Sequence, residues 1–182
     1  MNKKEARKLY RQKRKELSQT EIENFQKSIF DKVYSLDFSN IQNIHIFLSI
    51  KRHKEIDTYP IVDFLRQQNK TIIVSKSNFE KNTLQHYVLN ENTQLVENSY
   101  GIPEPLNAKE VEVTKIDLVF VPLLVSDKQN YRVGYGKGFY DRFLASCRKD
   151  INTIGLNFFP PIESIADINE FDVPLNKVIY PS

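Results

Sequence analysis

Apolar positions along this chain recur in two rhythms, one suited to helices and one to strands. Residues 3–17 contain good helix formers and neither Gly nor Pro, but only Ala6, Leu9, Tyr10 and Leu17 are apolar, so this helix can bury just a narrow stripe. Ser18-Gln-Thr-Glu21 has the form of a capping box. It predicts a second helix that carries Ile22, Phe25, Ile29, Val33 and Leu36 inward at 3.6-residue spacing. Asn43 to Leu48 predicts a first strand. After a polar segment, Asp57 or Thr58 can cap a helix with Pro60 in its first turn and Ile61, Val62, Phe64 and Leu65 on its buried side. Short strands follow at 71–74 and 84–89, and the Gly101–Pro105 stretch reads as a loop stiffened by two prolines. Residues 117–125 form an apolar run that predicts a buried central strand. Beyond a glycine-rich stretch, Phe139, Tyr140, Phe143 and Leu144 recur at helical spacing. Residues 152–156 predict another strand, 158–172 a loop with some helix, and 177–180 a last short strand.

Alternating strands and helices predict an α/β fold: a single domain over residues 1–182, with a mostly parallel sheet and helices on both faces. Ligands bind such sheets outside the carboxyl ends of the strands. The segments after Leu48, Val125 and Leu156 are therefore expected to converge. A length of 182 residues suits one core. No apolar run reaches the 18 or so residues that span a bilayer. The charged N-terminus has no apolar region of the signal-peptide kind. Cys147 is the only cysteine, which leaves no disulfide framework and no thiolate zinc cluster. A cytoplasmic location is the default expectation.

Charge sharpens the picture. The net charge is +3, but residues 1–15 alone carry +7, leaving −4 for the rest. A basic N-terminal helix suits nucleic acid, an anionic membrane, or an anionic ligand that borrows a few of its cations; the usual fate of such charges is a solvated face. Lys3 and Arg7, four apart, share one side of it. The chain has five glycines, and three of them, Gly134, Gly136 and Gly138, fall within Asn130–Arg142. Alternate glycines let backbone N–H groups converge on one object, and Arg132 and Lys137 make that object an anion. Strand, basic glycine loop and helix are the parts of a phosphate site. The GxGxG spacing fits neither a dinucleotide fingerprint nor a P-loop. On the residues alone this is an anion site, with a nucleotide phosphate as the favoured occupant. His45, His53 and His86 show no metal spacing, and His45, within a strand, reads as structural.

At NYRVGYGKGFYDR, with VPLLV before it and KKEAR at its start, the chain resembles the 5-formyltetrahydrofolate cyclo-ligase family along essentially its whole length. The matching features are Lys3 and Arg7, Glu55 after the first strand, the Gly101–Pro105 loop, the run Arg132–Arg142, and Asp172 before a hydrophobic strand. Lys137 and Asn130 stand where many members have glycine; Lys137 keeps the basic character, and Asn tolerates a left-handed backbone.

The resemblance implies ATP-dependent closure of 5-formyltetrahydrofolate to 5,10-methenyltetrahydrofolate, with Mg²⁺. It implies that ATP is held by Lys3, Lys4, Glu5, Ala6 and Arg7 and by Arg132, Val133, Gly134, Tyr135, Gly136, Lys137, Gly138, Phe139 and Tyr140. Arg132 and Lys3 would act on the transferring phosphoryl group. Ile50, Glu55 and Tyr131 would contact the folate. Asp141 and Asp172 would hold the metal, although Asp141 could instead pair with Arg142 or cap its helix, and Asp172 could cap a turn. Tyr131, Phe139 and Tyr140 could stack on pterin or adenine. The implied partners are small molecules, with no nucleic acid and no membrane, acting on a monomer.

Overall fold

Two capping boxes start the chain. The computed structural model, which describes residues 1–182, places α1 at Lys3–Glu16, capped by Asn2 and Glu5, and α2 at Gln19–Tyr34, capped by Ser18 and Glu21. There follow β1 (Asn43–His45), α3 (Tyr59–Gln67), and the hairpin β2 (Thr71–Asn78) and β3 (Thr83–Val88). A second hairpin, β4 (Gln94–Glu97) and β5 (Pro103–Leu106), leads to β6 (Glu110–Val111) and β7 (Leu118–Pro122). Then come β8 (Val125–Ser126), β9 (Arg132–Val133), α4 (Phe139–Ser146), β10 (Asn152–Leu156) and β11 (Lys177–Ile179).

Seven strands form one sheet in the order β11-β10-β7-β1-β2-β3-β6. The four pairings from β11 to β2 are parallel, and the two that add β3 and β6 are antiparallel. Strand alternation sorts the side chains of β7 between two faces. Leu118 and Phe120 join Ile29 and Val33 of α2 and Ile61, Val62 and Leu65 of α3 in the larger core. Val119 and Val121 join Phe143 and Leu144 of α4 on the other side. The fold is α/β with helices on both faces, as the alternation predicts. A third cluster seats α1 across the carboxyl edge, where Ala6 and Tyr10 pack on Leu124, Val125, Val133 and Ile165.

Several boundaries depart from the sequence reading. The first strand stops at His45, although the N–H of Ile46 still donates to Ile73 O. The strand at 71–74 extends to Asn78 because β3 folds back on it. The stretch expected as a proline-stiffened loop contains β5, paired with β4. Residues 158–172 hold no helix. No helix is long and apolar enough to cross a membrane.

Candidate active site

A cavity of about 460 Å³ opens at the carboxyl edge of β1 and β7. Its first wall is the glycine loop. After β8 the chain turns around Asp127, whose buried carboxylate accepts the N–H groups of Gln129 and Tyr131 at 3.0 Å each and that of Ile165 at 3.1 Å. Asn130 takes the left-handed conformation at φ 64°. Held this way, β9 delivers residues 134–138 to the cavity. Gly136 and Gly138 have φ of 94° and 70°, where side chains are strained. At Gly134 an added Cβ would meet no atom within 4 Å; it would project into open space in a loop that lines the cavity, the clearance a ligand would use for close approach.

Helix α1 forms the second wall, by way of its arginines. Arg7 Nε–H donates to Gly134 O at 3.1 Å, and its guanidinium covers Gly136. Lys3 forms an ion pair with Asp172. Arg11 lies over the ring of Tyr135, 5.4 Å from its centre. Much of the basic face of α1 thus turns toward the loop, while Lys4, Lys8, Lys13 and Lys15 stay exposed.

The third wall follows β1. A single 3-10 turn at Lys51–His53 closes with Lys54 left-handed, and Lys54 Nζ donates to the free carbonyls of Lys15 and Leu17 at the end of α1. This brings Glu55 back to Ile50, whose N–H donates to Glu55 Oε2 at 2.7 Å. The Tyr135 hydroxyl donates to Glu55 Oε1 at 2.5 Å. Burial raises the Glu55 carboxyl above its ordinary range, and these two bonds and the Arg14 charge act against that rise. Tyr135 is pushed well above the usual phenol range by burial and by the neighbouring carboxylate.

Arg132 binds two walls together. Its Nη1 donates to Val173 O at 2.5 Å and its Nη2 to Asp141 Oδ1 at 2.7 Å, with 5% of the side chain exposed. Burial works against its charge, and Asp141 and Asp172 support it. Both aspartates line the cavity. Each keeps one oxygen, Asp141 Oδ2 and Asp172 Oδ1, without a protein partner; Asp172 Oδ2 also accepts Asn169 N–H at 2.7 Å. Hard oxygen donors in pairs beside cations are the set that Mg²⁺ shares with phosphate, so these residues fit the ion.

Of the residues singled out from sequence, Lys3, Arg7, Ile50, Glu55, the run Arg132–Asp141 and Asp172 line this cavity. Four others lie apart from its lining. Lys4 is exposed, Glu5 is held in the capping box of α1, Ala6 is fully buried beneath the helix, and Tyr131 packs behind the loop. Asp141 pairs with Arg132 and not with Arg142. The segment after Leu156 reaches the cavity only late, at Asp172; at its start Asn157 N–H bonds to Ile179 O, Phe158 enters the larger core, and Phe159 packs edge-on against Tyr10. The remaining wall comes instead from the β2–β3 side. There Phe79 stacks on Tyr100 with ring centres 4.1 Å apart, and Phe139 meets Phe79 edge-on at 5.3 Å. Deeper in, Ser75 Oγ lies 2.6 Å from His45 Nε2 and 3.0 Å from His86 Nδ1. Only a β2 longer than 71–74 could have pointed to Ser75 and Phe79.

The sequence profile of the 5-formyltetrahydrofolate cyclo-ligase family matches residues 1–181. The 5-formyltetrahydrofolate cyclo-ligase of Haemophilus influenzae is 31% identical over 142 residues, covering 76% of this chain and 75% of that protein. The mouse 5-formyltetrahydrofolate cyclo-ligase is 27% identical over 154 residues, covering 79% and 75%. Among solved structures, the 5,10-methenyltetrahydrofolate synthetase of Mycoplasma pneumoniae superposes with a TM-score of 0.79 at 25% identity over 99% of both chains. The synthetase of Aquifex aeolicus gives 0.82 at 27% identity, over 98% of this chain and 89% of its own.

Proposed function

The chain belongs to the 5-formyltetrahydrofolate cyclo-ligase family, and from that premise we propose that it converts 5-formyltetrahydrofolate to 5,10-methenyltetrahydrofolate, spending ATP and releasing ADP and phosphate. The observation that carries this reading is the shared cavity: a partly desolvated carboxylate, Glu55, faces the same space as a basic glycine loop. A ring system with adjacent N–H donors suits the first, and a triphosphate suits the second.

The formyl oxygen on N5 is a poor leaving group. In the proposed reaction the γ-phosphorus forms a bond to that oxygen as its bond to ADP breaks. The N10 lone pair then attacks the formyl carbon. The C–O bond breaks, phosphate leaves with the electron pair, and N10 loses its proton. Transfer of this kind needs positioning and charge neutralisation more than a covalent residue. The N–H groups of the glycine loop, with Arg7 and Lys137, hold the phosphates. Lys3 and Arg132 face the charge that builds on the transferring group. Asp141 and Asp172 would hold Mg²⁺, which, when bound, neutralises phosphate charge. Glu55 accepts from the 2-amino and ring N–H groups of the pterin, and Ile50 walls the same pocket. The working unit is one cyclo-ligase domain over residues 1–182, a cytoplasmic monomer with small-molecule partners.

The test is the near-ultraviolet band of the methenyl product in the presence of 5-formyltetrahydrofolate, ATP and Mg²⁺. An increase that needs all three is the expected result. No increase, with ATP still bound by calorimetry, would overturn the folate assignment and leave a nucleotide site for another acceptor.

A further inference from the structure

Arg14 is a buried charge that the reaction scheme above does not use. It lies two helical turns beyond Arg7 on α1 and is 4% exposed. Burying a guanidinium is costly unless its donors are matched. Its Nη2 donates to Leu123 O at 2.6 Å and its Nη1 to the Tyr135 hydroxyl oxygen at 2.9 Å, while Nε has no partner. Arginine offers donors only. The Tyr135 oxygen must therefore accept from Arg14, and the Tyr135 proton is directed to Glu55 Oε1, 2.5 Å away. Glu55 Oε2 is fixed from the other side by Ile50 N–H. Both carboxylate oxygens are thereby held by one donor each, with their remaining lone pairs free for the cavity.

We propose that Arg14 is a positioning residue which, through the Tyr135 hydroxyl, orients Glu55 and keeps it a two-oxygen acceptor, and so sets affinity for the folate rather than for ATP. The inference rests on the reading of Glu55 as the pterin contact. The Tyr135 backbone belongs to the glycine loop but its hydroxyl points away to Glu55, so the two substrates are separable at this residue. The charged and titratable groups that act on Glu55 are Arg14 from α1, Tyr135 from the loop and Tyr140 from α4, while Arg11 from α1 and Arg52 and His53 from the turn before it line the same cavity. Of these, Tyr135 and Arg14 act against the rise that burial imposes on the Glu55 carboxyl. Removing either moves its titration to higher pH.

The experiment compares Tyr135→Phe, Arg14→Met and Glu55→Gln by steady-state kinetics with each substrate varied, across pH. Tyr135→Phe keeps the loop and the Arg14–Leu123 bond, so it remains informative if Arg14→Met lowers stability. In Tyr135→Phe the KM for 5-formyltetrahydrofolate is expected to rise about tenfold or more while that for ATP stays within about twofold, the scale of a hydrogen bond to a charged group. The acid limb of kcat/KM for the folate is expected to move to higher pH, and Tyr135→Phe to add nothing in the Glu55→Gln background. Equal rises in both KM values, or an unmoved acid limb, would overturn the proposal. So would wild-type behaviour of Tyr135→Phe beside an impaired Glu55→Gln, with the Glu55 reading left standing. A wild-type folate KM in Glu55→Gln would remove the pterin contact itself, and this inference with it.

Discussion

Arg132 is buried and matched on two sides, by Asp141 and by Val173 O, so its side chain is already fixed where phosphate charge is proposed to develop. Arg132→Ala removes that charge and leaves Asp141 without its partner. The kcat/KM for ATP should fall roughly 10- to 100-fold, the scale of one charge-assisted hydrogen bond. The methenyl absorbance at varied ATP measures it, and an unchanged value would take Arg132 out of the phosphate site. His86 makes a different residue-scale prediction. Burial lowers its pKa to about 4, and that of His45 is lowered in the same sense by burial and by His86. An unfolded histidine titrates near 6.5, so between these values the unfolded chain binds the proton and the folded chain does not. The contribution of His86 is complete above about pH 6.5, is lost as pH falls toward 4, and levels off below, amounting to about 3 kcal/mol at most. Melting temperature followed from neutral pH to about pH 4 should drop through that window. His86→Asn should flatten part of the drop.

At the scale of elements, the turn between β8 and β9 depends on one carboxylate. Asp127→Ala leaves the buried N–H of Ile165 without an acceptor, at about 1–3 kcal/mol, and removes the acceptor of the more accessible Gln129 and Tyr131 N–H groups, at somewhat less each. The melting temperature should fall by about 5–10 °C for a chain of this size, which calorimetry would measure; a smaller change would mean that water replaces the carboxylate. Elements also mark how far the pattern of residues can be read. The parallel core was legible because 117–125 is apolar almost throughout, as a strand covered on both faces must be, although β7 itself spans only Leu118–Pro122 and Val125 already belongs to the separate β8–β9 pair. The β4–β5 hairpin was not, because Pro103 and Pro105 read as loop. The N–H of Asn98 donates to Ile102 O at the mouth of this hairpin. Pairing alternates from there, so both prolines fall where no donor is needed. The glycine loop, Lys3, Arg7 and Glu55 were legible through their motif. Arg14 was not: within a basic run it looks like its solvated neighbours, and only the seating of Ala6 and Tyr10 turns it inward. Lys4, Glu5 and Ala6 share their segment with Lys3 and Arg7, but helical geometry sends them elsewhere.

Across the whole molecule, the division of charge between a +7 amino-terminal segment and a −4 remainder places much of the positive field beside the cavity. A polyanion entering there is drawn by charges that are partly exposed and hence screened by salt. The KM for ATP should rise as ionic strength increases over the range where the Debye length shrinks from about 10 Å to about 3 Å. The folate KM should respond less, since Glu55 is held by local bonds. Equal salt sensitivity for both substrates would count against separate roles for α1 and Glu55.

The ion pair between Lys3 and Asp172 joins residues near opposite ends of the chain. During synthesis α1 leaves the ribosome before β7, the glycine loop or Asp172 exists. At about 5–20 residues per second, it waits roughly 10–30 s for the surface that will cover its arginines. Throughout that interval a strongly cationic segment lacks the Gly134 and Leu123 carbonyls and the Asp172 carboxylate that match it in the fold. A helix made before its docking surface is thus among the last to settle, and nascent chains stalled before residue 172 should keep α1 protease-sensitive.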